Sequence, residues 1–396
     1  VVALDNMSEE AAATISAFDF YLPLPYRVVI LINAGILFWH LNLLTCRNFK
    51  IGVLNVLKVS PQELTLSRLI DRSRKCLVNI TLSNICNYSI YYFFASNGFE
   101  LTLIDWLPLF GILTTFFILL HDKSSFESQR LLQTMKRVIK GDIDISMRNN
   151  DILLTDTFTS YNKVLVDFLV YVSALVLGMS TLPSGANLSK ELSKTHLQLY
   201  NIDLLLANFP SLLRFRQCLK EYNQSGRQNI RHLLNAIKYS TAFLPTISMI
   251  LFKAGYLKTR NLWVFFTFIN SSYSLYWDIT NDWNFGFFLK FLSDKPNVKL
   301  LRNKLLYSKE AYVLAIIIDF QLRFIWVYGL VFVDPSSPSP STAAKFFTTL
   351  FATEMGTFVL ECLEIFRRWV WVFLKIETEY VIMSSVSDFI ELQSFD

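Results

Sequence analysis

The chain has 396 residues, of which 53% are hydrophobic, 15% aromatic and only 17% charged, and its formal net charge is +5. A soluble domain carries about 25% charged residues, so this composition excludes an ordinary soluble protein and indicates a polytopic membrane protein. The five cysteines and four histidines are dispersed, and no Walker A or GxGxxG motif occurs. The sequence therefore predicts no disulfide framework, no metal site and no nucleotide cofactor.

Apolar runs predict an all-α fold, a membrane bundle of about nine transmembrane helices. A spanning helix needs about 20 mainly apolar residues to cross a hydrocarbon core of about 30 Å. The runs lie at 27–45, 76–97, 101–120, 152–178, 197–213, 233–255, 261–280, 311–333 and 343–374. The apolar segment 283–292 is too short to span and is placed at the membrane interface.

The connecting loops alternate in charge. Lys and Arg are concentrated in 46–75, 121–151, 214–232 and 281–310, whereas 98–100, 179–196 and 335–341 are short or poor in cations. The positive-inside rule then predicts cytosolic basic loops, a cytosolic C-terminus and a luminal, acidic N-terminus. In this topology Asn187, in an Asn-Leu-Ser sequon of a non-cytosolic loop, is the best candidate for glycosylation.

The run 311–333 carries two charges near its middle, Asp319 and Arg323. A charge at the centre of a spanning helix costs roughly 2.5–3.5 kcal/mol on insertion scales. Helical periodicity places Asp319, Arg323 and Trp326 on one stripe. One interpretation is an internal ion pair that allows insertion. The other is that Arg323 faces a polar path and meets an anion there.

Polar residues also occur in the fourth and sixth runs. In the fourth, Asp156, Ser160 and Lys163 fall on one face, or Asp156 lies near a helix cap at the cytosolic interface. In the sixth, Lys238 and Tyr239 lie in the first turns, where Lys238 either enters the bundle or extends to the headgroups.

The seventh run ends with Asp278 and Asp282 on one face. No His or Cys accompanies them, so pairing with cations is favoured over a transition-metal site. In the ninth run, Glu361, Glu364 and Arg368 share a face beside Arg367, with apolar sequence on both sides. Guanidinium groups suit phosphate or carboxylate. Arg323, Arg367, Arg368 and Lys238 can together surround a small oxyanion, with Asp156, Asp278, Asp282, Glu361 and Glu364 offsetting their charge.

Six ordered blocks between about 150 and 380 carry a resemblance to a known family. They read LTDTFTS, PSLLRFRQCLKEY, HLLNAIKYST, YSLYWDITNDW, IIIDFQLRFIW and LEIFRRWVWVFLKIETE. In order and spacing they resemble the EXS-domain family of eukaryotic phosphate exporters. The chain is most similar to its shorter members, which lack the cytosolic SPX domain. It departs from the family pattern at Thr159, where relatives often have Asn, and at Asn284, where they have Gly.

The resemblance implies a pathway for inorganic phosphate. By this resemblance, the residues expected to bind phosphate are Asp156, Lys238, Tyr239, Arg323, Arg367 and Arg368. The residue expected to act as a gate is Trp326. The residues expected to support the site by ion pairing are Asp278, Asp282, Asp319, Glu361 and Glu364. Four segments are expected: a luminal segment 1–26, N-terminal helices with basic cytosolic loops 27–150, an EXS-type phosphate-pathway domain 151–380 and a cytosolic tail 381–396.

The resemblance thus implies a transporter or channel-like exporter in the Golgi membrane, or in another endomembrane or the plasma membrane. It would return to the cytosol the luminal phosphate released by glycosylation, and so support the retention of glycosyltransferases and ER proteins. The alternative is a membrane scaffold that recruits a cytosolic sorting adaptor. The expected partners are inorganic phosphate, membrane lipids, that adaptor and a second copy of the chain, without nucleic acid. No nucleophile–base pair or metal cluster supports an enzyme.

Overall fold

The computed structural model describes residues 17–60, 62, 64–97, 102–121, 126–142, 144–178, 202–292, 299–333 and 341–393. Within these ranges every regular element is a helix, as the composition and the apolar runs predict. The glycosylation candidate Asn187 and most of the luminal segment 1–26 lie outside the described residues. The prediction for Asn187 therefore stays a prediction.

The N-terminal half begins with a short helix and continues with long ones. Pro23 precedes the second helix, and the Thr65 hydroxyl accepts a hydrogen bond from the Arg68 amide at the start of the fourth. Such caps satisfy amide groups that the helix itself leaves without a partner. The helices are α1 (Ala17–Tyr21), α2 (Leu24–Asn48), α3 (Val53–Val56), α4 (Leu66–Ser96), α5 (Thr102–Leu120), α6 (Phe126–Lys140), α7 (Arg148–Ser160) and α8 (Asn162–Val176).

In the C-terminal half, several of the predicted runs are divided into two helices. The helices are α9 (Ile202–Ala207), α10 (Phe209–Gln224), α11 (Ile230–Ser240), α12 (Phe243–Lys253), α13 (Asn261–Trp277), α14 (Phe287–Leu292), α15 (Lys309–Arg323), α16 (Ile325–Phe332), α17 (Thr342–Ala352) and α18 (Glu354–Gln393). A π-helical turn, Asp278–Asp282, extends α13.

Two of the breaks bend the chain sharply. α15 and α16 meet at an angle of 46°, and α17 meets α18 at 83°. At the second bend a Cβ atom on Gly356 would lie 2.3 Å from the Leu350 carbonyl oxygen. Only glycine permits this approach between the two helices. The unusually long run 343–374 is therefore two elements.

Two helices, α2 and Leu103–Leu120 of α5, are long and apolar enough to cross a membrane. The number rises to as many as four if each of the two bent helix pairs counts as one span. This count covers only the described part of the chain. The described part of the chain is thus all-helical, with apolar helices compatible with a membrane bundle. The number of nine spans and the orientation remain predictions.

The largest hydrophobic cluster joins α18 to the elements around the π-helical turn. Trp371 and Trp283 are fully buried in it, together with Tyr312 of α15. α18 also packs along α2 through a second cluster that contains Ile365 and Leu31. α18 therefore contacts both the N-terminal helices and the elements that carry most of the intramembrane charges. α18 continues to Gln393, so the segment expected as a cytosolic tail begins inside this helix, and the division into four segments stays a prediction.

Candidate functional site

The π-helical turn at the end of α13 presents a carboxylate to the interior of the bundle. The Trp283 amide donates to the Asp278 carbonyl oxygen at 2.9 Å, and the Phe285 amide donates to that of Ile279 at 2.9 Å. These i→i+5 and i→i+6 bonds widen the last turn, as is common at functional positions. Asp278 itself is fully buried.

Asp278 joins three helices through its two oxygens. Lys238 Nζ of α11 donates to Oδ1 at 3.0 Å. Arg323 Nη2 of α15 donates to Oδ2, and Arg367 Nη1 of α18 lies 3.9 Å from the same oxygen. A buried carboxylate with three cations is strongly stabilised in its ionised form. Asp278 therefore holds in one place cations that the sequence distributes over 130 residues.

A second and a third carboxylate complete the surroundings of the two arginines. Asp319 accepts from Arg323 Nε at 3.1 Å and from Arg367 Nη1 at 2.9 Å. Glu364, one turn before Arg367 on α18, accepts from Arg367 Nε at 2.9 Å and Nη2 at 2.6 Å. Each of these arginines thus contacts at least two carboxylates, which fixes the orientation of its guanidinium plane.

Asp278, Asp319, Glu364 and the cations that contact them form one charge cluster. On the other side of this charge cluster, Asp156 of α7 contacts α10 and α11. Arg214 Nε lies 2.8 Å from Asp156 Oδ1, and the Tyr239 hydroxyl donates to the same oxygen at 2.5 Å. Arg214 is only 2% exposed. Arg214 was not predicted as a site residue, because a cation in a basic loop is already explained by membrane topology. Arg214, Cys218 and Glu221 follow a helical spacing, but only tertiary packing shows that all three are buried.

Arg368 differs from the other buried cations. It is 8% exposed, and among the described residues no carboxylate oxygen lies within 4.0 Å of its side chain. Its Nε donates to Ser160 Oγ at 2.9 Å and its Nη2 to Thr159 Oγ1 at 3.0 Å. The guanidinium carbon lies 4.8 Å from the centre of the Trp371 ring. Hydroxyl groups and an aromatic face orient this charge without neutralising it.

The charges of the cluster balance, but one of its cations contacts no carboxylate. The cations are Arg214, Lys238, Arg323, Arg367 and Arg368, and the carboxylates that contact them are Asp156, Asp278, Asp282, Asp319 and Glu364. Among the described residues, Arg368 is the cation of this set that is held by hydroxyl groups and a ring instead of a carboxylate. A buried unpaired charge is costly, and an anion bound beside it would remove that cost.

Asp282 links the cluster to the next turns of α18. Its Oδ1 lies 3.3 Å from Lys375 Nζ, its Oδ2 accepts from Trp371 Nε1 at 3.3 Å, and Lys238 Nζ is 3.9 Å away. Lys375 also pairs with Glu379 at 2.9 Å. Lys375 and Glu379 were not identified from the sequence, where they fall next to the apolar run and are typical of a membrane border.

Trp326 lies just beyond the bend between α15 and α16. Its Nε1 donates to Ser271 Oγ at 3.2 Å, and its ring meets Trp263 edge-on with 6.0 Å between centroids. Ser271 Oγ in turn donates to the Arg323 carbonyl oxygen at 3.3 Å. The indole is thus connected through one serine to the backbone of a cluster arginine. Its role as a gate remains a prediction.

Two predicted juxtapositions do not occur. α7 ends at Ser160, so Lys163 belongs to α8, where it pairs with Asp167 rather than lying on the face of Asp156. Glu361 lies 3.7 Å from Lys163 Nζ and, in the part of the chain that the structure describes, forms no ion pair with the cluster arginines. The helix break at Tyr161 is the physical reason for the first difference.

The structure also decides between the alternatives for Lys238 and Asp156. Lys238 is 7% exposed and bound to Asp278, so it does not extend to the headgroups. Asp156 is 2% exposed and lies two turns into α7, so it does not cap that helix. Asp319 and Arg323 do form an ion pair, but Arg323 and Asp319 each have a further partner from another element.

Comparison with known proteins shows the family of the chain. Residues 22–381 match the EXS family. The chain is 31% identical over 400 residues to Protein ERD1 of Kluyveromyces lactis, covering 93% of this chain and 97% of that protein. It is 28% identical to Protein ERD1 of Saccharomyces cerevisiae, with 91% and 94% coverage. It is 30% identical to human Solute carrier family 53 member 1 over 306 residues, which are 73% of this chain and 41% of that protein. The chain belongs to the EXS family.

Proposed function

We propose that this protein conducts inorganic phosphate across a membrane through the charge cluster around Asp278. The observation that carries the proposal is Arg368, a buried cation whose described contacts contain hydroxyl groups and an aromatic ring but no carboxylate. A small oxyanion would bind beside it, because guanidinium donors match the geometry of phosphate oxygens.

The neighbouring hydroxyl groups suit the same ligand. Ser160 Oγ accepts from Arg368 and donates to Glu364 at 2.7 Å, and Thr159 Oγ1 accepts from Arg368 and donates to the Asp156 carbonyl oxygen at 2.7 Å. Hydroxyl groups can rotate, so they can donate to an arriving anion when Arg368 turns toward it. Protein donors of this kind replace the hydration shell of an ion in a membrane pathway.

The other cations contribute to phosphate binding through the electrostatic potential that they create at the site. Arg323, Arg367 and Lys238 already contact carboxylates, which keep the unoccupied site close to neutral. A phosphate ion competes with these carboxylates rather than filling an empty cationic cavity, and such moderate binding allows the ion to leave again. Binding and release are therefore both compatible with this arrangement.

The relatives support the physiological setting that we propose. One of them is named as a solute carrier. Two others are ERD1 proteins, and their alignments with this chain cover almost the whole length of both partners. We place the protein in the Golgi membrane, where it returns to the cytosol the phosphate released by glycosylation. Retention of glycosyltransferases and of ER proteins would depend on this flux indirectly.

Radiolabelled phosphate uptake into liposomes that contain the purified chain tests the proposal. An imposed phosphate gradient should drive uptake above that of protein-free liposomes, and Arg323→Ala and Arg367→Ala should each abolish it. Absence of uptake with the unmodified chain would contradict transport. Full uptake by both variants would reject this site while leaving transport intact.

A further inference from the structure

A second polar site lies outside the charge cluster, in a groove between α4 and α5. The groove has a volume of about 670 Å³. Arg68, Arg72 and Lys75 line it from the first turns of α4, His121 closes the end of α5, and Glu127 comes from the first turn of α6. None of these residues takes part in the proposed phosphate pathway.

The groove carries an excess of positive charge. Arg68 and Lys75 are exposed, and neither has a carboxylate within 4.0 Å among the described residues. Asp71 also lines the groove, but its charge is offset by Arg74, whose Nη2 lies 3.3 Å from it. Arg72 Nη2 donates to Ser128 Oγ at 2.9 Å, which holds this third cation against α6.

Glu127 supplies a second, independent observation. Both of its carboxylate oxygens are buried, and neither has a hydrogen-bond partner among the described residues. A buried acceptor without a donor is costly. The groove therefore offers cations for an anion and, beside them, a carboxylate that would gain a donor if its side chain turned toward a ligand in the groove.

Beyond its polar end, the groove is continuous with apolar surface. Phe117 of α5 lines the groove and is 59% exposed. On the following turns Leu82 and Ile85 of α4 and Leu113 of α5 are each more than half exposed. Because α5 is long and apolar enough to span a membrane, the exposed apolar side chains on it and beside it would face acyl chains. A ligand of this groove is therefore amphiphilic.

We propose that the groove binds an anionic glycerophospholipid whose headgroup also carries a hydrogen-bond donor, as in phosphatidylinositol or phosphatidylserine. The phosphate lies among Arg68, Arg72 and Lys75, the hydroxyl or ammonium group of the headgroup donates to Glu127, and the acyl chains follow the apolar faces of α4 and α5. Basic residues next to spanning helices commonly attract anionic lipid. This proposal goes beyond the proposed transport and does not depend on it.

Lipid binding to the purified full chain, measured by native mass spectrometry, tests the proposal with phosphatidylinositol as the probe. Arg68→Gln combined with Lys75→Gln should weaken binding about 25-fold, because each adjacent basic residue contributes roughly a fivefold factor. Lys136→Gln is the matched control, since Lys136 is an exposed cation of α6 that does not line the groove. It should change the affinity less than about twofold.

Glu127→Ala tests the headgroup assignment separately. It should weaken phosphatidylinositol and phosphatidylserine and leave phosphatidic acid, whose headgroup ends at the phosphate, nearly unchanged. Photo-crosslinkable phosphatidylinositol bound to the unmodified chain should label peptides that contain residues 66–79 or 113–121. This measurement requires no variant and thus does not depend on how any variant folds.

Four results would overturn the proposal. They are equal binding of phosphatidylcholine and phosphatidylinositol, displacement of the lipid by millimolar inorganic phosphate, crosslinks confined to other segments, and unchanged lipid binding by the Arg68 and Lys75 double variant. If that double variant instead converts a dimer of the chain to a monomer while lipid binding stays constant, the groove is a contact between subunits.

Discussion

Arg367 Nη1 of α18 lies 2.9 Å from Asp319 Oδ1 of α15, while the other oxygen of Asp319 accepts from Arg323 Nε at 3.1 Å. One carboxylate thus orients an arginine on its own helix, α15, and an arginine on α18. Insertion of α15 into a membrane would require only the first of these contacts. The second makes Asp319 part of the architecture of the charge cluster.

Substitution of Asp319 should therefore affect both stability and transport. Asp319→Asn keeps the shape and one acceptor but removes the charge shared by Arg323 and Arg367. Hydrogen bonds to charged groups contribute about 1.5–3 kcal/mol each, and both arginines keep another carboxylate, so we expect a loss of roughly 2–3 kcal/mol. Thermal unfolding in detergent and liposome uptake measure the two effects. Glu310→Gln, at the exposed start of α15, is the control, and an unchanged melting temperature in Asp319→Asn would contradict the shared role.

Ser271 should control the proposed gate, because its hydroxyl binds both the Trp326 indole and the Arg323 carbonyl oxygen. Ser271→Ala removes the 3.2 Å bond to the indole. A hydrogen bond contributes about 0.5–1.5 kcal/mol, so phosphate uptake should rise roughly two- to tenfold if Trp326 closes the pathway. Ser274→Ala, one turn along α13, serves as the control. A decrease in uptake would show that the bond supports transport rather than closure.

Asn284 lies two residues after the end of the π-helical turn and has a positive φ of 55°. Left-handed backbone costs an ordinary residue roughly 1–2 kcal/mol, whereas Gly and to some extent Asn accept it. Asn284→Val should thus destabilise the chain by about that amount, and Asn284→Gly should be neutral or stabilising. Thermal unfolding of the two variants, with Asn281→Val as the control, measures the difference. Equal destabilisation by Val and Gly would contradict the backbone explanation.

The position of Asn284 also shows what the sequence could predict. The family resemblance identified it as a departure from glycine, but only the structure shows that the backbone there is left-handed. Likewise, composition and apolar runs predicted an all-helical membrane protein, whereas the breaks at Tyr161, Phe324 and Thr353 were not predicted. Each break lies inside an apolar stretch, where hydropathy does not reveal a bend.

The charge cluster could also be predicted only in part from the sequence. Arg323 and Arg367 were recognised because charges inside apolar runs are costly. Arg214 and Lys375 lie at the ends of such runs, where a cation is ordinary, so their burial could be learned only from tertiary packing. The pairing of Glu361 with Lys163 was missed because helical periodicity was extended across the break at Tyr161.

Removal of the C-terminal end separates transport from the alternative of a scaffold that recruits a sorting adaptor. The structure sets where to truncate: Val381 is buried and Ser384 Oγ accepts from Lys304 Nζ at 3.1 Å, so the deletion should begin after Ser385. A transporter should keep its phosphate uptake without residues 386–396. Loss of protein retention in cells by this variant, with uptake intact, would favour the scaffold.

The central claim is that Arg368 binds the transported anion, and phosphate uptake by Arg368→Gln liposomes tests it most directly. Loss of one charged hydrogen-bonding group, about 1.5–3 kcal/mol, corresponds to roughly a 10- to 150-fold loss of uptake. Arg368→Lys should restore part of it, and Arg148→Gln, whose arginine pairs with Glu221 at 3.0 Å outside the cluster, should retain it. Full uptake by a folded Arg368→Gln protein would contradict the account.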